Sequence, residues 1–589
     1  MDSNNGRGIL TPGARPPGAA MGVVALALAA LAGGARPAVA QQPAPATPPA
    51  RVSTTADTSG FPIHDPVVVA KCQRCHARDS TSGRMGRLSY MRKTPEGWEA
   101  SVRRMASLAG VDLQPAEARQ VVKYLANAQG LAPAETRAGR FESERRLIDF
   151  TYTADAVTDR TCRACHSVGR MLLQRRTREE WELLVATHRG YYPNSDFQAF
   201  RRMGPSNPDS APAPHPMDQA VSHLSRVFPL RTPEWTAWSA TMRPAPMEGR
   251  WLLSGYEAGR GALYGTLTVS KVAGTDDEFT TRATYRFASG GAAVVREGRA
   301  VVYTGHQWRG RSARSGTGAD SAWREVMSVE PGWQEMSGRW FRGGYDEFGI
   351  DVTAHRIGGG AQLAGVSPRA LPRGARDVEV TIFGANLPRA AAPSAIDLGP
   401  GLTATRVVRA TPDEIVLRVN VDSAARIGAR DLFVGGASLK AAISAYDRID
   451  RIRVTPSSNL ARVGGIRFPK QFAQFEAIGL SNGIDGKPDT PDDINVGTVP
   501  VTWSLEEYGV TFKDDDVRYV GQLDAKGLFT PAVDGPNPSR VGERNNIGDV
   551  YVVATYQPAG AGARPLKARS LLIVTVPLYM RWEPARTAP

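Results

Sequence analysis

Every cysteine in the chain lies in one of two copies of the pentapeptide C-x-x-C-H, Cys72-Gln-Arg-Cys75-His76 and Cys162-Arg-Ala-Cys165-His166. Two thiols three positions apart on a helical turn can each add to a vinyl group of one porphyrin, and the histidine that follows can reach the iron. The motif therefore predicts two covalently tethered haem c groups, one per copy. A tetrahedral zinc site would need both pairs to converge and would leave the histidine after each second cysteine without a role. A thioredoxin-type redox pair would want a βαβ context, which the flanking sequence lacks. With all four thiols committed, the domains must hold by packing alone, without disulfides.

The two motifs head a duplicated module. Lys93-Thr94-Pro95-Glu96-Gly97-Trp98 aligns with Arg176-Thr177-Arg178-Glu179-Glu180-Trp181, and a helical pattern follows each. Thr94 and Thr177 read as N-caps. Trp98, Val102 and Met105 share one face of the first helix, and Trp181, Val185 and His188 share the corresponding face of the second. Seven residues beyond its tryptophan the first copy places Met105 and the second His188, and both side chains ligate iron. The expectation is a His76/Met105 pair on one haem and a His166/His188 pair on the other. Met85, Met91, His64, Met171, His215 and His223 are the alternatives, His223 foremost because it sits in the second copy's closing helix. A core role is the ordinary fate of any single methionine or histidine; equivalent placement in two copies is what argues otherwise. Closing helices are expected over Pro115–Ala126 and Met217–Phe228, with a Pro-rich irregular insertion from Tyr191 to Pro216.

At 589 residues several domains are expected. Residues 1–40 read as an export signal: Arg7 and Arg15 precede an apolar run from Met21 to Leu31, and Ala38-Val39-Ala40 offers a cleavage site. Met21 is a second candidate start. A linker would follow at 41–60, then a di-haem domain at 61–240. No later stretch has membrane length, so a periplasmic chain without a membrane partner is expected. The formal charge is +14, and +12 without the leader's three arginines and one aspartate. It is spread along the chain without an aromatic-interleaved basic block, which argues against nucleic acid and for acidic redox partners or haem propionates.

From about Gly249 short alternating runs separated by glycine-rich turns indicate antiparallel β structure. Trp251, Trp308, Trp323, Trp333 and Trp340 are expected to fill a barrel or sandwich core at 245–358. Immunoglobulin-like sandwiches are expected at 362–446 and 447–589. The fold class is thus an all-α di-haem cytochrome c domain followed by three all-β domains. The acidic loop Asp485–Asp493 lacks EF-hand spacing and reads as a solvated turn rather than a calcium site, and Asp514-Asp515-Asp516 as similarly idle. No phosphate loop, nucleophile elbow or zinc-protease motif occurs.

A di-haem module of this kind ahead of three β domains, with the Trp98/Met105 and Trp181/His188 pattern and the stretch Asn545–Tyr556, resembles the α subunit of quinohaemoprotein amine dehydrogenases. The resemblance implies that a small separate subunit carries a cysteine tryptophylquinone that oxidises primary amines, and that a β-propeller subunit completes the complex. It also implies electron transfer through the two haems to a blue copper protein or a cytochrome c. No cysteine remains here for a tryptophylquinone cross-link. The rival expectations are the cytochrome subunit of another dehydrogenase, a di-haem peroxidase with an open iron position, and a binding scaffold.

Overall fold

The computed structural model describes residues 59–139, 152–163, 168–197, 199–201, 214–317, 322–342, 348–509, 514–560 and 562–577. The expected leader, most of the linker, Cys165, His166 and the Pro-rich stretch 202–213 lie outside the described residues.

Helices come first and β structure follows. The first haem module runs α1 (Pro66–Cys72), β1 (Met91–Lys93), α2 (Pro95–Ala109) and α3 (Pro115–Ala128), with a short α4 (Pro133–Thr136) after it. The second repeats the plan as α5 (Ala156–Arg163), α6 (Gly169–Leu172), β2 (Gln174–Arg176), α7 (Arg178–Tyr191) and α8 (Pro216–Val227), followed by α9 (Pro233–Thr241). Local chemistry sets the helix starts. Thr94 Oγ1 accepts from Gly97 N and Thr177 Oγ1 from Glu180 N, both at 3.3 Å. Asp65 and Asp155, each seven residues ahead of the first motif cysteine, cap α1 and α5 through Val68 N at 2.9 Å and Thr158 N at 2.7 Å. Gly110, at φ +65°, ends α2 in the left-handed conformation that glycine adopts without strain.

The copies join through β1 and β2, which pair antiparallel with Arg92 opposite Arg175. Both guanidiniums are buried, and Arg92 and Arg175 share the buried carboxylate of Glu135, at 2.8 and 3.1 Å. Burial alone would raise the Glu135 pKa, but Arg92 and Arg175 outweigh it and hold the carboxyl at about 2.

An antiparallel eight-stranded barrel follows: β3 (Gly249–Glu257), β4 (Gly261–Lys271), β5 (Glu278–Phe287), β6 (Val294–Tyr303), β7 (Gln307–Arg314), β8 (Trp323–Val329), β9 (Glu335–Phe341) and β10 (Gly349–Arg356), closed by β10 pairing with β3. Trp251, Trp308 and Trp340 are fully buried in its core, while Trp323 and Trp333 pack against that core from its edge. The chain entering the barrel plugs one end: Met247 is fully buried, and its carbonyl accepts from Trp251 Nε1 at 3.0 Å.

The barrel is also a wall of the first haem module. Val301 and Tyr303 of β6 belong to the same core as Trp98, Val121 and Leu125. Around this contact Arg309 forms a buried ion pair with Glu96, Lys123 Nζ reaches Asp277 at 2.7 Å, and Asn127 Oδ1 accepts from Thr304 N at 2.7 Å.

Beyond the barrel lie two further β units. The first packs two four-stranded sheets around Val380, Ile382, Leu417 and Ile443. In the second, one four-stranded and two three-stranded sheets share a core that includes Phe475, Phe529 and Val552. Tyr264 of β4 stacks on Phe383 at 4.5 Å, and Glu476 accepts from Tyr256 Oη and Gly259 N at 2.8 Å, so both units are tied to the barrel. The acidic loop is a turn built on its own carboxylates: Asp492 accepts from the backbone of Ile484 and Asp485, and Asp493 from that of Asp489. The second acidic run is not idle. Asp516 is buried, ion-paired with Arg540, and accepts from Asp549 N at 3.1 Å.

Candidate functional site

In the first module Cys72 ends α1, Cys75 is exposed on the following turn, and His76 N donates to Cys72 O at 2.9 Å, so the motif closes as one helical turn. The His76 ring is fixed by Nδ1, which donates to the Gly86 carbonyl at 2.9 Å. Only Nε2 then remains to ligate a metal, and the backbone bond sets the ring plane, as axial histidines require. Burial, and further the Arg87 charge, hold this imidazole below its ordinary range, in the neutral ligating form.

Met85 is fully buried and Met91 nearly so, both in the module core; that is the ordinary role of a buried methionine. Met105 is different. It lies on α2, half-buried and outside that core, on the face it shares with Trp98 and Val102.

In the second module Cys162 sits within α5, its thiol pushed up to about 12 by burial and by Asp159 and Asp155. Cys165 and His166 fall outside the described residues. His188, near the end of α7, donates from Nδ1 to the Leu184 carbonyl one turn back at 2.8 Å, which presents Nε2 as the coordinating atom. Its ring lies against Tyr192 and Phe200, at 6.4 and 6.2 Å between centroids. Burial outweighs that hydrogen bond and, with Arg104 and Arg176, keeps it neutral. His223, the strongest alternative, is engaged at both nitrogens: Nε2 lies 2.8 Å from Tyr152 Oη, and Nδ1 3.7 Å from Asp155 and 3.4 Å from Arg226. It is a hydrogen-bonded core residue. His215 caps α8 through Nδ1, and His64 is exposed.

Between the modules lies a group of charges that the sequence did not announce. Arg87 and Arg176 both pair with Glu180, at 3.1 and 3.3 Å. Lys93, 7% exposed, lies with Nζ 2.6 Å from Ser101 Oγ and over the face of Trp98. Burial, then the charges of Arg176 and Arg104, press its ammonium well below the usual lysine range.

The donor set fits haem c on chemical grounds. The described motif cysteines Cys72, Cys75 and Cys162 are free thiols in or beside a helix, and the imidazoles of His76 and His188 are neutral and oriented through Nδ1.

Comparison with known families separates the possibilities. Residues 63–207 match the haem-binding domain of the quinohemoprotein amine dehydrogenase alpha subunit, and 244–357, 360–447 and 452–586 match its domains II, III and IV. The chain belongs to the quinohemoprotein amine dehydrogenase alpha-subunit family. It is thus a haem-binding subunit of an oxidoreductase complex. No curated protein matches it. Among solved structures, a redesigned beta barrel is 11% identical, covering 20% of this chain and 98% of that one at a TM-score of 0.17. SGBP-B of a Bacteroides ovatus mixed-linkage glucan utilization locus is 11% identical, covering 56% and 61% at 0.17. Mouse clustered protocadherin PcdhgC3 EC1-3 is 14% identical, covering 43% and 75% at 0.15. No helix among the described residues of this alpha subunit is long and apolar enough to cross a membrane.

Proposed function

We propose that this alpha subunit is a periplasmic di-haem electron carrier that takes electrons from a cysteine tryptophylquinone on a small partner subunit. It passes them to a soluble blue copper protein or cytochrome c while primary amines are oxidatively deaminated in the complex. A β-propeller subunit is the third member of that assembly. In this reading Cys72 and Cys75 tether one haem and Cys162 and Cys165 the other. His76 and Met105 ligate the first iron, and His166 and His188 the second. The later β units, read as immunoglobulin-like modules, serve as scaffold.

The observation that carries the reading is the duplication of the module. Met105 and His188 occupy equivalent positions on α2 and α7, Met105 outside the packed core and His188 with its Nδ1 satisfied by its own helix. Haem, when bound, supplies a one-electron iron couple whose potential a thioether ligand raises relative to a second imidazole, so the two centres differ in midpoint. The protein's part is to orient Nε2 of His76 and His188 through the backbone bonds to Gly86 and Leu184 and to pack the first module's core against the barrel's Val301 and Tyr303. All four thiols are used, so the quinone cross-link belongs to another chain.

Low-temperature electron paramagnetic resonance of the oxidised protein tests the assignment. Two low-spin signals are expected, one His/Met and one bis-His. His188→Ala should alter only the bis-His signal, and an unchanged spectrum would remove His188 from the iron.

A further inference from the structure

Among the described residues the charges between the two modules do not balance. Four cations converge there: Arg87 from the loop after the first motif, Lys93 at the end of β1, Arg104 on α2 and Arg176 at the end of β2. Among the described residues one carboxylate, Glu180, pairs with this group, and it is shared by Arg87 and Arg176. The β1–β2 pairing forces the encounter, because Lys93 lies opposite Gln174 and Met91 opposite Arg176. Lys93, Arg176 and Glu180 are 7%, 3% and 3% exposed. Among the described residues no carboxylate forms an ion pair with Lys93 or Arg104. The neighbours of the Lys93 ammonium are a serine hydroxyl at 2.6 Å and the face of Trp98 at 5.2 Å. A lysine this buried either gives up its proton or meets an anion, and an anion at the 2.6 Å Ser101 side of Nζ would hold it charged.

We propose that Lys93 and Arg104 are seats for the propionate carboxylates of the bound haems, and that Lys93 thereby raises the midpoint potential of the haem it contacts. The inference rests on the di-haem reading above. Its chemistry is that of a buried cation beside a redox centre: positive charge favours the reduced form, which carries one positive charge fewer. Glu180 acts in the opposite sense through the same cluster. Arg104 adjoins Met105 on α2, and Arg176 closes the strand that leads into α7, the helix of His188.

The test uses the full chain carrying haem labelled with carbon-13 at the propionate carboxyls, read by redox-difference infrared spectroscopy and by spectroelectrochemical titration of both haems. Lys93→Gln should displace labelled carboxylate bands and lower one midpoint, on the order of tenfold in the reduced-to-oxidised ratio, or about 59 mV for a one-electron couple. Glu180→Gln should raise a midpoint. Arg104→Gln, on a half-buried position, is the second variant should Lys93→Gln fold poorly, and it should move the same bands. Two haems bound with labelled bands and midpoints unmoved in both cation variants would overturn the proposal while leaving the di-haem reading intact. A chain without covalent haem would overturn that reading itself.

Discussion

Trp98 and Trp181 make the same hydrogen bond in two places: each indole N–H donates to the carbonyl of the residue just past its module's closing helix, Gln129 at 3.1 Å and Phe228 at 3.4 Å. The backbone N–H groups of Lys93 and Arg176 reach those same carbonyls, at 3.0 and 3.3 Å. Each indole also carries a cation over its face, Lys93 and Arg176 respectively. The duplication visible in sequence is therefore a duplication of hydrogen bonding. Both tryptophans are essentially unexposed, so Trp98→Ala or Trp181→Ala should each cost about 3–5 kcal/mol. Denaturant unfolding would measure this, with similar losses for the two.

Glu135 predicts a pH dependence of stability. Its folded pKa is depressed from 4.5 to about 2, so the stability it contributes is present above about 4.5 and is lost as pH falls towards 2. At about 1.4 kcal/mol per tenfold the contribution is about 3 kcal/mol. Glu135→Gln should remove that acid-side slope. It should also destabilise at neutral pH by about 3–5 kcal/mol, because Arg92 and Arg175 stay buried without their counter-charge. Thermal unfolding from pH 7 to pH 3 would display both effects.

The Glu96–Arg309 pair ties α2 to the barrel, and both side chains are below 10% exposed. Burial opposes ionisation of Glu96, but Arg309 outweighs it and holds the carboxyl below its usual range. Arg309→Met should destabilise by about 3–5 kcal/mol by leaving a buried charge, whereas the double variant Glu96→Gln with Arg309→Met should recover part of the loss. A double-mutant cycle by chemical denaturation gives the coupling.

Histidine substitutions separate core from ligand. His223→Gln should lower stability through loss of the Tyr152 contact yet leave both haem absorption and paramagnetic spectra as they are. A changed haem spectrum in that variant would move the distal ligand of the second site to His223.

What the sequence disclosed was local or periodic. The caps at Thr94 and Thr177 depend on residues within one turn, and the tryptophan-rich alternation needs only a period of two. The hidden parts are long-range. Nothing in Met91-Arg92-Lys93 or Gln174-Arg175-Arg176 signals burial, and their arginines and Lys93 are buried because the two strands pair with each other and meet Glu135 and Glu180. Asp516 read as idle for the same reason, since its partner Arg540 is 24 residues away. Of the candidate site, motif spacing proposes the cysteines and histidines. The carbonyls of Gly86 and Leu184 that orient the imidazoles carry no side-chain signature, although Leu184 follows from any helical histidine's reach one turn back.

The central claim is that each of two modules holds a covalent haem. Intact-mass spectrometry of the denatured chain purified from a host that matures c-type cytochromes tests it most directly. The account predicts the polypeptide plus two haems, falling to one when Cys72 and Cys75 are replaced by serine and to one when Cys162 and Cys165 are. A mass equal to the bare polypeptide would contradict it.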